Sequence, residues 1–360
     1  VELFAQALPH LAKKPRVIAI TGTNGKSTVT QMAGDICAAG GLDTVVAGNI
    51  GLPVLDALDA ATRGERAPDA FVLELSSFQL ESTASLDADA ATLLNVSDDH
   101  LDRYDGIEDY TRAKARVFNG TGAQVLNRED ARSRAMALPG RVVHRFGTDA
   151  PRGPSEWGIG GDAAAPALMR GEHALMPLAG LPVAGLHNAA NALAAGALCH
   201  AIGVGDEAIA CALAAFKGLP HRVERVATIA GVTYYDDSKG TNVGSTVAAL
   251  GGFTQPVVLI AGGEGKEQDF APLREPVRRR ARAVVLIGRD AGLIAAALDG
   301  CGVPCIRAGD MADAVRCAQA QAQAGDAVLL SPACASFDMF RNYNHRGDVF
   351  AGIVRELAGA

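Results

Sequence analysis

The 360-residue chain has no CxxC pair, no internal repeat and no low-complexity tract. No run reaches the roughly 18 uninterrupted apolar residues of a membrane span. The richest stretch, 181–202, is broken by His187, Asn188, Asn191 and His200. The opening Val1-Glu2-Leu3-Phe4 lacks a basic region followed by an apolar core, so no secretory leader is expected. Positive charge is in deficit: 33 Lys and Arg against 40 Asp and Glu leave a net charge of −7, a poor default for binding nucleic acid. Aromatic residues are only 5%, but 49% hydrophobic and 20% charged residues make an ordinary globular composition, which excludes wholesale disorder. Seven cysteines without close pairs read as reduced, mostly buried thiols of a cytosolic protein. A soluble, cytoplasmic monomer, engaging neither membrane nor nucleic acid, is expected.

What is present is alternation. Apolar runs at Arg16–Ile20, Ala70–Leu75, Ala90–Val96 and Ala123–Asn127 read as strands, and the segments from Ser27 and over Tyr110–Phe118 as helices. Arg141–Leu178 lacks helical period and contains a Gly/Pro-rich stretch, so irregular or small antiparallel β structure is expected there. Asn188–Phe216 reads as helical. Gly218-Leu219-Pro220 punctuates the chain. Beyond it come a hairpin (Arg225–Ile229, Val232–Tyr235) and apolar strands at Val257–Ala261, Ala283–Gly288 and Ala327–Ser331. The expected class is α/β. A central P-loop-type ATPase domain with a mostly parallel sheet occupies 13–218, and a smaller Rossmann-like α/β domain occupies 219–360. In such sheets ligands collect beyond the carboxyl ends of the strands.

Thr21-Gly22-Thr23-Asn24-Gly25-Lys26-Ser27-Thr28 follows a strand and opens a helix. Its glycines let backbone N–H groups turn toward phosphate, and the helix N-terminus favours anions. Lys26 has the reach for β/γ-phosphates, and the Ser27 hydroxyl suits Mg²⁺. The first glycine of the full phosphate-loop pattern is replaced by Ile20, so this is a shortened variant. Glu74 ends one apolar run, and His100 follows the next in Asn95-Val96-Ser97-Asp98-Asp99-His100. A carboxylate and an imidazole at adjacent strand ends can both face the loop, although imidazole is an unusual Mg²⁺ ligand and a lone His is most simply structural. Lys114, on a basic helix face, reads by itself as solvated. Asn49 reads as turn chemistry. Asn188 and Asn191 share a helix face as caps or as amide groups for adenine. Cys334 has no His–Asp pattern around it and is not a nucleophile candidate.

The octapeptide resembles the signature of the Mur ligase and folylpolyglutamate synthetase superfamily of ATP-dependent amide ligases. Asp237-Ser238-Lys239-Gly240-Thr241-Asn242 and Ser331-Pro332-Ala333-Cys334-Ala335-Ser336-Phe337-Asp338-Met339-Phe340 resemble, within the Mur ligase family, the members that add D-glutamate. The resemblance implies that Gly22, Thr23, Asn24, Gly25, Lys26, Ser27, Thr28, Asn191, Arg222 and Asp237 bind ATP. It further implies that Lys26, His100 and Lys114 serve catalysis, and that Ser27, Glu74, His100 and Lys114 (as a carbamate formed with CO₂ or bicarbonate) hold two Mg²⁺ ions. Asn49, Lys239, Thr241, Lys266, Ser336, Phe337 and Tyr343 would contact the substrates, UDP-N-acetylmuramoyl-L-alanine and D-glutamate. Glu264 stands where the family often has Asp. Residues 1–12 resemble the segment that connects to a preceding UDP-binding domain, and the ATP and glutamate sites are expected to be intact without it. Two rivals stand apart: a nucleotide-binding module without turnover, and a folylpolyglutamate synthetase, which would not be expected to carry the Asp237–Lys239 and Ser331–Phe340 patterns. A switch GTPase would be expected to carry an Asn-Lys-x-Asp motif, which is absent.

Overall fold

The computed structural model describes all residues except 65–67, 100–102, 184 and 360. Two compact units emerge. Val1–Ser97 and Tyr104–Lys217 make the first, and Gly218–Ala360 forms the body of the second.

Among the described residues, the first unit carries nine strands: β1 (Arg16–Thr21), β2 (Thr44–Gly48), β3 (Ala70–Glu74), β4 (Ala90–Leu93), β5 (Ala123–Asn127), β6 (Val143–Phe146), β7 (Glu156–Asp162), β8 (Ala165–Arg170) and β9 (His173–Pro177). They form one sheet in the order β2-β3-β1-β4-β5-β6-β7-β8-β9. Pairing is parallel from β2 to β7 and antiparallel from β7 to β9. β1 and β3 are apolar along nearly their whole length because both faces are covered. On one face Val17, Ala19, Phe71, Leu73, Leu93 and Leu126 pack with Phe4, Tyr110 and Val117. On the other, the Lys26–Ala39 helix lies against the Ala-rich Leu186–Ala201 helix, close enough to bring Cys37 Sγ within 3.7 Å of Cys199 Sγ. Small residues permit that approach.

Of the two alternatives for Arg141–Leu178, small antiparallel β structure is the one formed: β7–β9 make an antiparallel meander, and β6 prolongs the parallel sheet before it. Two expectations change. Asn188–Phe216 is two helices, Leu186–Ala201 and Asp206–Ala215, parted at Gly203, whose φ of 96° a helix cannot accommodate. The Tyr110–Phe118 helix begins earlier, at Ile107, and tightens to a 3₁₀ turn over Arg116–Phe118.

The second unit carries β10 (Glu224–Ile229), β11 (Val232–Asp236), β12 (Val257–Gly262), β13 (Ala281–Ile287), β14 (Cys305–Arg307) and β15 (Ala327–Leu330). Their order is β10-β11-β15-β12-β13-β14, with an antiparallel β10–β11 hairpin and parallel pairing elsewhere. Alternation divides its core: Leu259, Ala261, Val284, Leu286 and Leu329 face one helical layer. Val258, Ile260, Val285, Ile287, Val328 and Leu330 face the other. The long Tyr343–Gly359 helix belongs to that second layer, with Phe350 and Val354 in the core.

All seven cysteines are free thiols, and Cys37, Cys199, Cys301 and Cys334 are buried. No described helix is long and apolar enough to cross a membrane.

Candidate functional site

In the first unit the site assembles where β1 ends. Gly25 caps the Lys26–Ala39 helix with φ 85°, and an added Cβ there would lie 2.6 Å from Asn191 Oδ1. Only glycine fits, and Asn191 stands against the loop itself. β4 supplies the other wall. Thr23 N–H donates to Asn95 C=O (2.9 Å), Asn24 N–H to Asn95 Oδ1 (2.8 Å), and Asn95 Nδ2 returns a bond to Asn24 C=O (3.0 Å). Ser97 N–H donates to Thr23 Oγ1 at 3.1 Å. Asn95 therefore fixes the loop's shape, a role unassigned in the sequence analysis although polarity straight after a strand was its signal. Lys26 Nζ donates to Gly22 C=O and Thr23 C=O, both at 2.9 Å. Ser27 and Thr28 are buried in the first helical turn.

Glu74 ends β3 in register with Ile20 of β1 and Gly48 of β2. Its side chain is 1% exposed. Oε1 accepts from Asn49 Nδ2 at 2.8 Å, and Asn49 N–H donates to Glu74 C=O at 2.8 Å. Oε2 is buried with no hydrogen-bond partner among the described residues. A buried carboxylate oxygen left open beside a phosphate-type loop suits a hard divalent cation, which takes one or two protein carboxylates. Asn49 steadies that carboxylate. Gly48 permits the arrangement, since at its φ of 116° a Cβ would overlap Glu74 C=O.

Lys114 is 1% exposed, which corrects the solvated-helix reading. Its Nζ donates to Gly22 C=O at 2.9 Å, lies 3.5 Å from Thr21 Oγ1 and sits 4.5 Å over the Tyr110 ring. A strand end, the phosphate loop and a helix residue 92 positions beyond Gly22 thus converge on one amine. His100 lies outside the described residues.

The second unit has its own polar convergence at the ends of β11, β12 and β15. Asp237 Oδ2 accepts from Ser331 Oγ at 2.7 Å. Burial pushes the Asp237 carboxyl up to about 7, against the lowering pull of Ser331 and of the Arg222 charge. Gly240 C=O accepts from Ala333 N–H at 2.9 Å. Glu264 and Ala335 exchange backbone bonds of 3.0 and 2.9 Å, which ties the loop carrying Lys266 to the segment carrying Ser336. Gly263 allows it, because a Cβ there would overlap Ala335 C=O. Lys239 Nζ donates to Tyr343 Oη at 2.7 Å. Thr241 N–H donates to Lys239 C=O at 2.9 Å. Ser336 is buried, whereas the Phe337 side chain is 68% exposed. Burial pushes the Cys334 thiol up to about 12, which keeps it inert.

Arg346 holds this cluster together and was missed in the sequence. It is fully buried. Nε donates to Ser238 Oγ (3.0 Å), Nη2 to Ser238 C=O (2.8 Å), and Nη1 to Cys334 C=O (3.0 Å) and Ala335 C=O (3.3 Å). Burial lowers its guanidinium to about 10. A lone arginine within an amphipathic helix carries no signal that it points inward.

A phosphate-type loop beside an open carboxylate, and a separate Rossmann-like unit rich in strand-end lysine and hydroxyl groups, define an α/β protein fitted to bind a nucleotide and anionic ligands. The Mur ligase middle domain matches residues 20–199, and the Mur ligase glutamate ligase domain matches residues 221–334. The chain is 60% identical over 358 residues to a UDP-N-acetylmuramoylalanine–D-glutamate ligase of Methylobacillus flagellatus, spanning 99% of this chain and 77% of that protein. In fold it is similar to MurF from Acinetobacter baumannii, with a TM-score of 0.73 and 20% identity over 99% of this chain and 79% of that one. It is also similar to a bifunctional folylpolyglutamate/dihydrofolate synthase from Yersinia pestis, solved with AMPPNP and a Mn ion. There the TM-score is 0.68 and the identity 22%, over 98% of this chain and 92% of that one. The chain belongs to the Mur ligase family.

Proposed function

We propose that the chain is an ATP-dependent ligase that joins D-glutamate to UDP-N-acetylmuramoyl-L-alanine in peptidoglycan synthesis. Identity of 60% across 99% of the chain supports the substrate pair. One observation carries the chemistry: the buried Glu74 carboxylate, open at Oε2, beside the loop that ends β1.

The loop N–H groups from Gly22 to Thr28, with Lys26, would cradle the ATP phosphates, and Asn191, Arg222 and Asp237 would serve the nucleotide. The alanine carboxylate takes the γ-phosphoryl group, giving an acyl phosphate and ADP. The D-glutamate amine then attacks the acyl carbon; the C–N bond forms, the C–O bond to phosphate breaks, and the amine proton is released. Ser27, Glu74, His100 and a carbamylated Lys114 would hold Mg²⁺, which would screen the repulsion between the phosphoryl group and the attacking carboxylate. Buried Lys114, ringed by Gly22 C=O, Thr21 Oγ1 and the Tyr110 face, would change from a cation to an anion: the ammonium gives up one proton, the free amine adds CO₂, and the carbamic acid gives up a second. Lys239, Thr241, Lys266, Ser336, the Phe337 N–H and Tyr343 would receive the two glutamate carboxylates. Asn49 acts by orienting Glu74.

The test is ADP release with ATP, Mg²⁺, bicarbonate and UDP-N-acetylmuramoyl-L-alanine, with and without D-glutamate. L-glutamate and a folate substrate serve as controls. Release that requires D-glutamate is the expected result. If the chain is silent, the assay is repeated with a chain extended to the full length of its relatives, and continued silence refutes the function.

A further inference from the structure

We propose that the hydrogen-bonded pair His221–Asp236 is a latch that positions Arg222 for the nucleotide. The inference rests on the reading of Arg222 as a nucleotide ligand given above.

Arg222 stands between two residues in left-handed backbone, His221 at φ 59° and Val223 at φ 50°. Non-glycine residues adopt this conformation rarely, and a β-branched valine least readily. The turn therefore needs support from outside itself. His221 supplies it with every polar group near its backbone. Its N–H donates to Glu224 Oε2 at 3.0 Å, its C=O accepts from Lys239 N–H at 3.1 Å, and its Nδ1 lies 2.7 Å from Asp236 Oδ2. The ring meets Tyr343 edge-on, with centroids 6.4 Å apart. Val223 N–H is tied to the Asp237 carboxylate.

The anchor is rigid. Asp236 is the last residue of β11, almost fully buried, and its Oδ1 accepts from Ser238 N–H at 2.8 Å. The Tyr343–Gly359 helix closes over the pair at Gly347, where any Cβ would overlap His221 Nδ1 and crowd Asp236 Oδ2. Position 347 is glycine because the pair occupies its side-chain space. His221, Glu224 and Asp236 also offer ligand atoms within 4.8 Å of one another, the spacing of a cation site. Two ligands of one tetrahedral zinc stand about 3.3 Å apart, given bonds of about 2.0 Å. The 2.7 Å between Nδ1 and Oδ2 is that of a hydrogen bond. The arrangement is a mechanical link, running from strand β11 through an imidazole to the strained turn that presents Arg222.

Asp236→Ala cuts the link and Asp236→Asn keeps a partner for both Nδ1 and Ser238 N–H. In the full chain, Asp236→Ala is expected to raise the KM for ATP, and the Kd of a fluorescent Mg-ATP analogue, by about tenfold. The KM for D-glutamate stays within about twofold, and Asp236→Asn restores most of the loss. In an Arg222→Ala background, Asp236→Ala adds nothing further, since the latch acts through Arg222. Should Asp236→Ala fail to fold, His221→Gly removes the ring while relieving the backbone, and is expected to give the same pattern. Additive effects of Asp236→Ala and Arg222→Ala, an unchanged KM for ATP, or equal behaviour of the Ala and Asn variants would overturn the latch. Wild-type chain that binds no nucleotide strikes the functional reading itself, and the latch falls with it. Wild-type binding with an indifferent Asp236→Ala strikes the latch alone.

Discussion

Asp237→Asn is expected to flatten the pH dependence of the second unit's stability while weakening its hold on nucleotide. The carboxyl is 6% exposed and accepts from Ser331 Oγ at 2.7 Å. Burial raises it from 3.8 to about 7. Between those values the folded unit binds more protons than the unfolded chain, so stability falls as pH rises through the window and levels off above about 7. A shift of roughly three units corresponds to about 4 kcal/mol in all, of which about 2 kcal/mol falls between pH 5 and pH 7. Asparagine keeps an acceptor for Ser331 and has nothing to titrate. Burial also raises Asp236, but that titration is common to both proteins and largely cancels in their difference. Urea unfolding followed by circular dichroism at pH 5 and pH 7 reads the effect. The stability of Asp237→Asn relative to wild type should move by about 2 kcal/mol in the variant's favour as pH rises. Parallel pH profiles would refute the argument. A carboxylate retained against such a penalty marks a functional group, and the affinity for Mg-ATP should fall in the same variant.

Glu74→Gln keeps an acceptor for Asn49 but removes the charge at Oε2, so ADP release is expected to drop on the order of 10²-fold at fixed Mg²⁺ with an unchanged thermal midpoint; wild-type turnover would remove Glu74 from the metal site. Lys114→Ala is expected to abolish turnover, with recovery on adding a short carboxylic acid, while bicarbonate depletion slows the wild type; no rescue at any concentration counts against the carbamate. Arg346→Met strips donors from Ser238 Oγ and from the carbonyls of Ser238, Cys334 and Ala335, and should cost on the order of 3 kcal/mol in urea unfolding. A loss below about 1 kcal/mol would mean that these acceptors find water instead.

Some of the fold and site was legible because its signals are local. β1 and the loop after it are contiguous, and Glu74 closes an apolar run, where a parallel sheet collects its polar ends. Other parts were hidden for equally physical reasons. β2 is short and buries only Val45 and Ala47, so it gives little periodic signal. The 188–216 stretch is alanine-rich on both sides of its break, and composition there continues while the backbone turns at Gly203.

By itself the sequence determined the α/β class, the phosphate-type loop and the polar strand ends, since strand period, glycine placement and an adjacent helix start are properties of neighbouring residues. Tertiary structure alone decided what covers each face. It buries Lys114 against Gly22, 92 residues away, and turns Arg346 inward onto Ser238, 108 residues away. It also sets His221 between Asp236 and a helix that can carry only glycine at 347. Helical spacing tells which side chains share a face; whether that face meets water or another element depends on contacts between distant segments, which no local pattern encodes.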